Sequence, residues 1–470
     1  KKDLDYIVAD RKIRIIDSST GRISRGKKYP DLLHAALEAK EELPLSGSSM
    51  IYNTITIQNY LLRYRKLCGM TGTAMDSKNE FYQVYGLEID SIPPHIPSRR
   101  IDHEPVVFPT KEEKHKAIIE SIVSSHQKGQ PVLLGTQSVE ESELLSGLLW
   151  DREITHQVLN AKNDKEEALR IAEAGKLSSV TVSTNMAGRG VDIKLGGGSE
   201  AEKNSVQNTG GLYVIGAGLN RSARIDLQLC GRAGRQGDTG ESRFFISLED
   251  ELFEEAKWPP LTDGRKSFFK DRAQAAKTVR RAQRHIEGRD EAARLMLSKY
   301  SYILEHQRQI MTDYRGRILR SMAGEKGERL AEKQLTLYYI NQHWAYYLES
   351  MEYVRDGIHL TVIGGLDPLD EYHKMAVSAY EEVLKEIQTD VIRKLRTCKI
   401  TEDGVDMEAA GLGNATTTCS YLIDESKSQF TRLPDIISGI DNHIKGSIFS
   451  LQSIAGTIKN LIEKYKTPSV

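Results

Sequence analysis

The stretch PVLLGTQSVEESELLSGLL (131–149) decides the fold class, because an apolar strand-like run, PVLLGT, leads directly into a helical pattern. The same order recurs where HQVLNA (156–161) precedes KEEALRIAEAG (165–175). Strand-like runs then follow at VTVST (180–184), GGLYVIG (210–216) and ESRFFIS (241–247). Strands that alternate with helices are typical of α/β folds, so the sequence predicts a parallel sheet between about residues 76 and 250.

The chain beyond Pro259-Pro260 has a helical character. From Phe269 to Ile318, apolar or small residues recur every three or four positions, which predicts one helix of about 50 residues. Stretches 335–360 and 371–395 predict two more helices, and the turn VIGGLDPL joins them into an αα-hairpin. We therefore expect an all-α region after the sheet.

The residues before the sheet carry shorter elements. YIVADRKIRIIDSSTGRI, near the start of the chain, predicts two short strands around a polar turn, and residues 31–42 predict a helix. TITIQNYLLRYRKLCGMTGTA (54–74) predicts a short helix or a strand pair that ends in a Gly/Thr turn.

Composition excludes several classes of protein. Of the 470 residues 39% are hydrophobic and 28% charged, which is typical of a folded chain rather than a disordered one. The net charge of -1 argues against a nucleic-acid footprint over the whole chain. No apolar run approaches the ~20 residues of a spanning helix, so we expect membrane contact to be peripheral. Four scattered cysteines (Cys68, Cys230, Cys398, Cys419) indicate reduced cytosolic thiols rather than disulfides or a metal site.

The first residues bear on the extent of the chain. It opens on Lys1-Lys2-Asp3 rather than on Met, and a strand-like pattern follows at once, without a secretory signal. We expect that the sequence begins inside a larger protein.

The motif QLCGRAGRQGD (228–238) is the strongest chemical signal. Gly231 and Gly234 allow tight turns, and Arg232 and Arg235 stand three apart, so on a helical turn both guanidinium groups would project to one side. Two arginines directed at one point suit a polyphosphate and stabilise charge that develops at a γ-phosphate. Paired arginines also bridge surface carboxylates, and for the motif taken alone this alternative stays open.

A second motif, STNMAGRGVDIKLGGG (183–198), follows the strand VTV. A strand that leads into a polar, Gly-rich loop is where α/β folds place nucleotide chemistry. Arg189 and Asp192 are the charged residues of this loop, while Thr184 and Asn185 are suited to join it to the sheet by hydrogen bonds. The motif lies about 40 residues before GRAGR on the same predicted sheet, which strengthens the nucleotide interpretation of both.

A third motif, GMTGTA (69–74), predicts a Thr-Gly-Thr turn at a strand end, whose hydroxyls would relay small movements. The three motifs have the order and approximate spacing of the later motifs of helicase-type motor ATPases. The sequence contains no GxxxxGK[ST] phosphate-binding loop, and no Asp-Glu pair follows an apolar strand where Mg²⁺ would be bound.

Several segments closely resemble the SecA family of bacterial protein-translocation ATPases. They include TITIQNYLLRYRKLCGMTGTA, TNMAGRGVDIKLGG, RIDLQLCGRAGRQGDTGESRFFISLED and INQHWAYYLESMEYVRDGIHL. The resemblance runs from residue 1 to about 396. It implies a RecA-like, helicase-type parallel-sheet motor lobe, followed by an all-α scaffold with a long helix and a two-helix finger.

The resemblance also implies a division into domains. We expect the C-terminal end of a preprotein cross-linking domain at 1–25 and the C-terminal part of the first RecA-like nucleotide-binding lobe at 26–75. The second such lobe would follow at 76–258. The helical part would then consist of a long scaffold helix with a short or absent wing at 259–334, the two-helix finger at 335–396 and a C-terminal region at 397–470. The family binds ATP and Mg²⁺ mainly through parts of the first lobe that this sequence lacks.

Roles for single residues follow from the resemblance. Arg232 and Arg235 match the catalytic arginine fingers. Gly188, Arg189 and Asp192 match nucleotide-binding positions, and the last two would sense the γ-phosphate and couple the lobes. Coupling is also implied for Thr71, Gly72 and Thr73. The finger tip that contacts the translocating polypeptide would consist of Ile363, Gly364 and Gly365.

The sequence departs from the housekeeping SecA pattern in several places. About 15 residues (320–334) stand where a helical wing is usually inserted, and the Cys-rich zinc-binding tail is missing. Ile363 replaces a tip Tyr, Cys230 replaces an Arg, and AGLNRSA (217–223) replaces a charged run. These departures imply an accessory SecA paralogue.

The implied function is that of an ATP-driven motor subunit of accessory protein export. It would move unfolded preprotein through a SecY-type channel, from the bacterial cytoplasm at the inner face of the plasma membrane. We expect the protein to contact anionic lipid and not nucleic acid. A homodimer is a further possible assembly. Two alternatives are a helicase-type nucleic-acid-dependent ATPase lobe and a non-catalytic fragment. We predict that the 470 residues alone hydrolyse no ATP.

Overall fold

The computed structural model describes residues 2, 5–16, 23, 27–29, 33–45, 52–159, 171, 173–184, 192–256, 272–413 and 422–423. They fall into two compact units. The first unit holds the described residues of Lys1–Ser46, Cys68–Glu291 and Ser420–Glu425, and the second holds those of Gly47–Leu67 and Ala292–Cys419.

A parallel sheet forms the centre of the first unit. The strands in the first 250 residues are β1 Tyr6–Ala9, β2 Lys12–Ile15, β3 Lys27–Lys28, β4 Arg99–Asp102, β5 Val106–Phe108, β6 Val132–Thr136, β7 Gln157–Leu159, β8 Val180–Thr184, β9 Leu212–Gly216 and β10 Thr239–Ser247. The sheet has the order β4-β10-β9-β6-β8-β7, with β5 also paired to β10, and all its pairs are parallel. The predicted parallel sheet is therefore confirmed.

Helices cover both faces of this sheet. Among the described residues, the α-helices of the first unit before residue 260 are Leu33–Lys40, Lys78–Tyr85, Lys111–Gln127, Val139–Trp150, Glu200–Asn208, Ala223–Cys230 and Glu251–Glu255. Short 3-10 turns lie at Met75–Ser77, Leu195–Gly198 and Arg235–Gly237. Strand residues alternate between the faces: Leu134 packs with Ile118 and Leu145, while Leu133 packs with Val206 on the other side.

Two of these helices begin with the same local signal. The Thr110 hydroxyl accepts from the Glu113 amide at 3.2 Å, and the Ser138 hydroxyl accepts from the Glu141 amide at 3.0 Å. Both are Ser/Thr-x-x-Glu sequences, in which the side chain satisfies one of the amides that a helix start leaves without a partner. The sequence thus fixes where the chain turns from strand to helix.

The outlying strands form small pairs. β1 and β2 make the antiparallel hairpin predicted near the start of the chain. Three further strands follow the helical region: β11 Ile400–Thr401, β12 Gly404–Val405 and β13 Leu422–Ile423. β11 pairs with β12, and β13 lies parallel to β3.

A helix of 50 residues, Arg272–Ser321, confirms the long helix predicted from the periodic pattern; we call it the long helix. Its residues up to Glu291 belong to the first unit and the rest to the second. In the first unit, Val279, Ala282 and Ile286 are buried against Leu252 and Phe253. No helix of the described residues is both long and apolar enough to cross a membrane.

The second unit is helical, as predicted. Ile57–Leu61 is a short α-helix, which decides between the helix and the strand pair expected for residues 54–74. Gly327–Gly357 and Pro368–Thr397 form the αα-hairpin, joined by a 3-10 segment at Ile358–Gly364. The Asp367 carboxylate caps the second hairpin helix, whose first residue is a proline.

Candidate nucleotide-binding site

The loop of the second motif leaves the sheet at the end of β8, whose five residues are all buried. Residues 185–191, which include Asn185, Gly188 and Arg189, lie outside the described residues. The described chain resumes at Asp192, with Ile193 and Leu195 buried behind it. The roles of Gly188 and Arg189 in nucleotide binding therefore stay predictions.

The chain after Asp192 runs beside the start of β8 rather than beside its end. The Gly196 amide donates to the Gly175 carbonyl at 2.8 Å, and Gly175 precedes β8. A Cβ on Gly175 would stand 2.2 Å from the Lys194 carbonyl oxygen, so only glycine fits this approach. The described chain from Lys194 to Gly196 therefore lies near the amino edge of the sheet.

The two arginines of the first motif do not lie on one helical turn, as the sequence had led us to expect. The helix Ala223–Cys230 ends before them, and Gly234 adopts a left-handed conformation with φ 65°. A Cβ on Gly234 would stand 2.5 Å from Cβ of Arg100, so crowding as well as φ requires glycine. The prediction was wrong because left-handed Gly234 interrupts the helical backbone between Arg232 and Arg235.

The two motifs nevertheless meet. The Arg235 guanidinium donates through Nη1 to Oδ1 of Asp192 at 2.7 Å and through Nε to the Gly231 carbonyl at 3.0 Å. The Arg235 and Asp192 side chains are 40% and 43% exposed. Arg232, in contrast, is only 8% exposed. Arg235 is therefore the more accessible of the two arginines to a phosphate. Its contact with Asp192 also realises the alternative in which such an arginine binds a surface carboxylate.

This meeting point lies at the amino edge of the sheet. The arginine turn immediately precedes β10, and a Cβ on Gly240, the second residue of β10, would stand 2.6 Å from the Gly234 amide nitrogen. The general rule for α/β sheets places ligands at the carboxyl ends of the strands. The described parts of both motifs come together at the opposite edge.

Neighbouring polar residues complete this edge. Arg100 binds Asp102 through two hydrogen bonds of 2.7 and 2.9 Å, and Ser242 donates to the same carboxylate at 2.6 Å. The Arg100 guanidinium holds the pKa of Asp102 below its usual range. Burial raises the pKa of the Cys230 thiol, so Cys230 is an uncharged core residue.

The Thr-Gly-Thr turn is present but does not follow a strand. Residues 62–74 are irregular, and the short helix Ile57–Leu61 precedes them. The two hydroxyls, Thr71 Oγ1 and Thr73 Oγ1, lie 3.2 Å apart, and Thr71 and Gly72 are exposed. The expected strand end was wrong, while the coupling role of Thr71, Gly72 and Thr73 stays a prediction.

The carboxyl edge holds a buried ion cluster that sequence reasoning missed. Lys114, 1% exposed, donates to Asp250 at 2.7 Å, to Glu141 at 3.0 Å and to the Ala217 carbonyl at 3.3 Å. Burial by itself lowers the pKa of Lys114. The charges and hydrogen bonds of Glu141 and Asp250 have the larger effect, so the pKa of the lysine is raised. The helical pattern of 111–127 offered one signal, because it places a lysine on the face that also carries Ile118.

A second cluster that the sequence did not predict centres on Asp226. Burial raises the pKa of this aspartate to about 7. Asp226 accepts from the Asn220 amide and side chain and from Gln283 of the long helix. The signal in the sequence was a glutamine on an apolar helix face, between Val279 and Ile286.

The predicted finger tip lies in the second unit and ends the segment Ile358–Gly364. Ile363 is 45% exposed, and Gly365 closes the segment with φ 72°, which favours glycine. Leu360, Val362 and Leu366 are exposed beside it.

Phosphate binding and metal binding place different demands on the described residues. Arg235 is partly exposed and carries donors suited to phosphate oxygens. Within the described ranges, no group of three or more His, Cys, Asp and Glu residues is arranged to hold a metal ion.

Comparison with known families identifies three matches. The SecA DEAD-like domain matches residues 6–82, the SecA P-loop domain matches 97–203 and 198–257, and the SecA Wing and Scaffold domain matches 322–399.

Individual relatives are similar over nearly the whole chain. Protein translocase subunit SecA 2 of Corynebacterium diphtheriae is 40% identical over 95% of this chain and 61% of its own length. Proteins of the same name in Thermobifida fusca and Mycobacterium ulcerans are 38% and 39% identical over 94% and 91% of the chain. The chain covers 60% and 56% of those two relatives.

Proposed function

The chain belongs to the SecA family and resembles its accessory paralogues, and from this premise we propose the function of the intact protein. It is an ATP-driven motor subunit of accessory protein export. ATP binding and hydrolysis between two RecA-like lobes move unfolded preprotein through a SecY-type channel. The chain spans about 60% of the length of the curated relatives, so this activity is proposed for the whole protein.

The ion pair between Asp192 and Arg235 is the observation that carries this proposal. It joins the two motifs that resemble the nucleotide-contacting motifs of the family, at a separation of 43 residues in the chain. Because both side chains are partly exposed, a γ-phosphate would compete with Asp192 for the same guanidinium. Arg235 would then stabilise negative charge that develops on the transferred phosphoryl group.

The other site residues take supporting roles in the proposal. Arg232, which is buried, acts as the second arginine finger, and Gly188 and Arg189 contact the nucleotide from the preceding loop. Thr71, Gly72 and Thr73 couple nucleotide state to motion. Mg²⁺ and the inner phosphates are bound mainly by first-lobe residues that the sequence does not contain.

The exposed aliphatic tip supports a role in moving polypeptide. Leu360, Val362, Ile363 and Leu366 are each at least 37% exposed, next to Gly364 and Gly365. Apolar side chains without a fixed polar pattern suit unfolded segments of many sequences. We place this tip against the translocating chain.

The proposed function also implies where the intact protein works and what it contacts. The intact protein works in the bacterial cytoplasm, at the inner face of the plasma membrane and beside anionic lipid, and homodimerisation is part of the proposal. Nucleic acid is not a partner. The 470 residues alone hydrolyse no ATP, because they contain no phosphate-binding lysine loop.

The test is the ATPase rate of the intact protein, with and without unfolded preprotein and channel-containing vesicles. We expect Arg235→Ala to lower turnover at least ~tenfold, as arginine fingers contribute 10³–10⁵ in related enzymes. Arg152→Ala, an exposed arginine in the same unit, is the matched control and should leave turnover unchanged. Unchanged turnover in Arg235→Ala, or stimulation by RNA but not by preprotein, would contradict the proposal.

A further inference from the structure

Three backbone carbonyls in the segment between β9 and the helix Ala223–Cys230 accept hydrogen bonds from side chains of other elements. The carbonyls of Ala217 and Asn220 accept from Lys114 at 3.3 Å and from Gln283 at 2.8 Å. The Leu219 carbonyl accepts from Gln137 at 2.5 Å. Loops usually satisfy such groups with water, so this one is fixed to its surroundings.

The same segment forms a closed amide–carboxylate cluster. Asp226 accepts at Oδ1 from the Asn220 backbone at 3.0 Å and from its side chain at 2.7 Å. Its other oxygen, Oδ2, accepts from Gln283 at 2.6 Å. All three residues are at most 8% exposed. Burial of polar groups costs free energy unless they are bonded, and bonded networks of this kind hold one geometry.

The long helix makes two more contacts, one to the first residue of this short helix and one to Arg221, which precedes it. The Glu287 carboxylate accepts from the Ala223 amide at 2.6 Å, one of the amides that a helix start leaves without a partner. Arg221 donates to Asp290 at 3.0 Å and is paired with Glu255 as well. Gln283, Glu287 and Asp290 follow one another at helical spacing, so one face of the long helix makes all these contacts.

These contacts and the arginine motif occupy opposite ends of one rigid element. The helix Ala223–Cys230 has eight residues, so it is about 12 Å long. Asn220 and Asp226 lie at its beginning, near the carboxyl edge of the sheet. Gly231 caps its end, and Arg232 and Arg235 follow at the amino edge. A shift of the long helix at Gln283 would therefore displace the arginines.

We infer that Gln283 and Glu287 are positioning residues for the two-arginine motif: they couple the place of the long helix to the geometry of Arg232 and Arg235. This inference rests on the proposed function. It also accounts for AGLNRSA (217–223), where the sequence departs from its family, because Asn220 and Arg221 within it make the contacts to the long helix.

The test uses the intact protein and the variants Gln283→Leu, Glu287→Ala and Glu287→Gln. Gln283→Leu keeps the volume but removes both donated bonds, and Glu287→Ala removes the acceptor for the Ala223 amide. Glu287→Gln is the matched control, because its amide oxygen can still accept from that amide.

We expect KM for ATP to stay within about twofold, while the ratio of preprotein-stimulated to basal turnover falls at least ~fivefold in Gln283→Leu and Glu287→Ala. Glu287→Gln should keep the wild-type ratio. Backbone amide exchange at Gly231, Arg232 and Ala233, whose amides are bonded in the structure, should accelerate in the two disruptive variants alone.

Two outcomes would overturn the inference. One is an unchanged stimulation ratio in both disruptive variants. The other is unchanged exchange at residues 231–233, and this outcome counts whether or not the wild-type protein hydrolyses ATP. If the intact wild-type protein had no ATPase activity, the proposed function would be refuted. The amide-exchange measurement would then be the remaining test of whether Gln283 and Glu287 position the arginine motif.

Discussion

Arg235 and Asp192 form a 2.7 Å ion pair although 43 residues separate them in the chain. The pair is the direct link between the arginine motif and the Gly-rich loop. Both side chains are partly exposed, and exposed ion pairs contribute only about 0–1 kcal/mol to stability. A contact so weak is easily exchanged for another anion, which suits a phosphate-sensing role better than a structural one.

Asp192→Asn should therefore change binding more than stability. We expect the free energy of unfolding in urea to change by less than about 1 kcal/mol. Because Arg235 would lose a competing carboxylate, a non-hydrolysable ATP analogue should bind the intact protein up to ~fivefold more tightly. A weaker analogue affinity would contradict this competition and would instead support the direct nucleotide-binding role that the family resemblance implies for Asp192.

Lys114→Met should be strongly destabilising. It leaves Glu141 and Asp250 buried without their shared cation, and breaking a buried pair in this way costs about 3–5 kcal/mol. The exposed neighbour Lys111→Met is the control and should change stability by less than ~0.5 kcal/mol. Urea denaturation midpoints compare the two, and equal midpoints would show that the cluster is not needed for stability.

Asp226 should make the folded protein less stable as pH rises from acidic to neutral. Its pKa is about 7 in the folded protein because of burial, against about 3.9 for an unperturbed aspartate. Between these values the folded state binds more protons than the unfolded state, so stability falls as pH rises from about 4 to about 7. The slope from this group is at most about 1.4 kcal/mol per pH unit.

Asp226→Asn should remove that component, because the amide does not titrate. We would measure urea unfolding of both proteins at several pH values and take the difference between them. A difference that is constant from pH 4 to pH 8 would mean that Asp226 is already ionised at low pH, with its three N–H donors outweighing burial.

Ile363→Ser should impair transport without affecting the fold. Ile363 is 45% exposed, so its replacement should leave the melting temperature within about 2 °C. Transport of preprotein into channel-containing vesicles should fall several-fold if the tip grips the chain. Val377→Ser is a matched control on the second hairpin helix, with 46% exposure. Equal transport by both variants would remove the tip from the mechanism.

The sequence alone predicted the elements that depend on local pattern. The strands β6, β8 and β9 are short apolar runs, and the helix after β6 begins with Ser138 and Glu141, a signal contained within four residues. The long helix followed from periodicity without an intervening proline. β4 and β5 were not predicted individually, because each is too short to show an alternating pattern.

The candidate site was predicted in its residues but not in its geometry. The motifs pointed to Arg232, Arg235 and Asp192. The sequence did not show that left-handed Gly234 would separate the two arginines, or that Gly196 would lie beside Gly175 near the amino edge. Both features depend on crowding between distant segments, such as that between Gly234 and Arg100.

What the sequence by itself determined was thus the family, the alternation of strands and helices, and the residues that carry the chemistry, because each rests on short-range order. Tertiary structure alone decided which residues share an edge and which buried polar groups bind one another. Lys114 reaches Asp250 across 136 residues, and Gln283 reaches Asp226 across 57. A buried charge or amide needs its partner in space, and nothing in the local sequence names that partner.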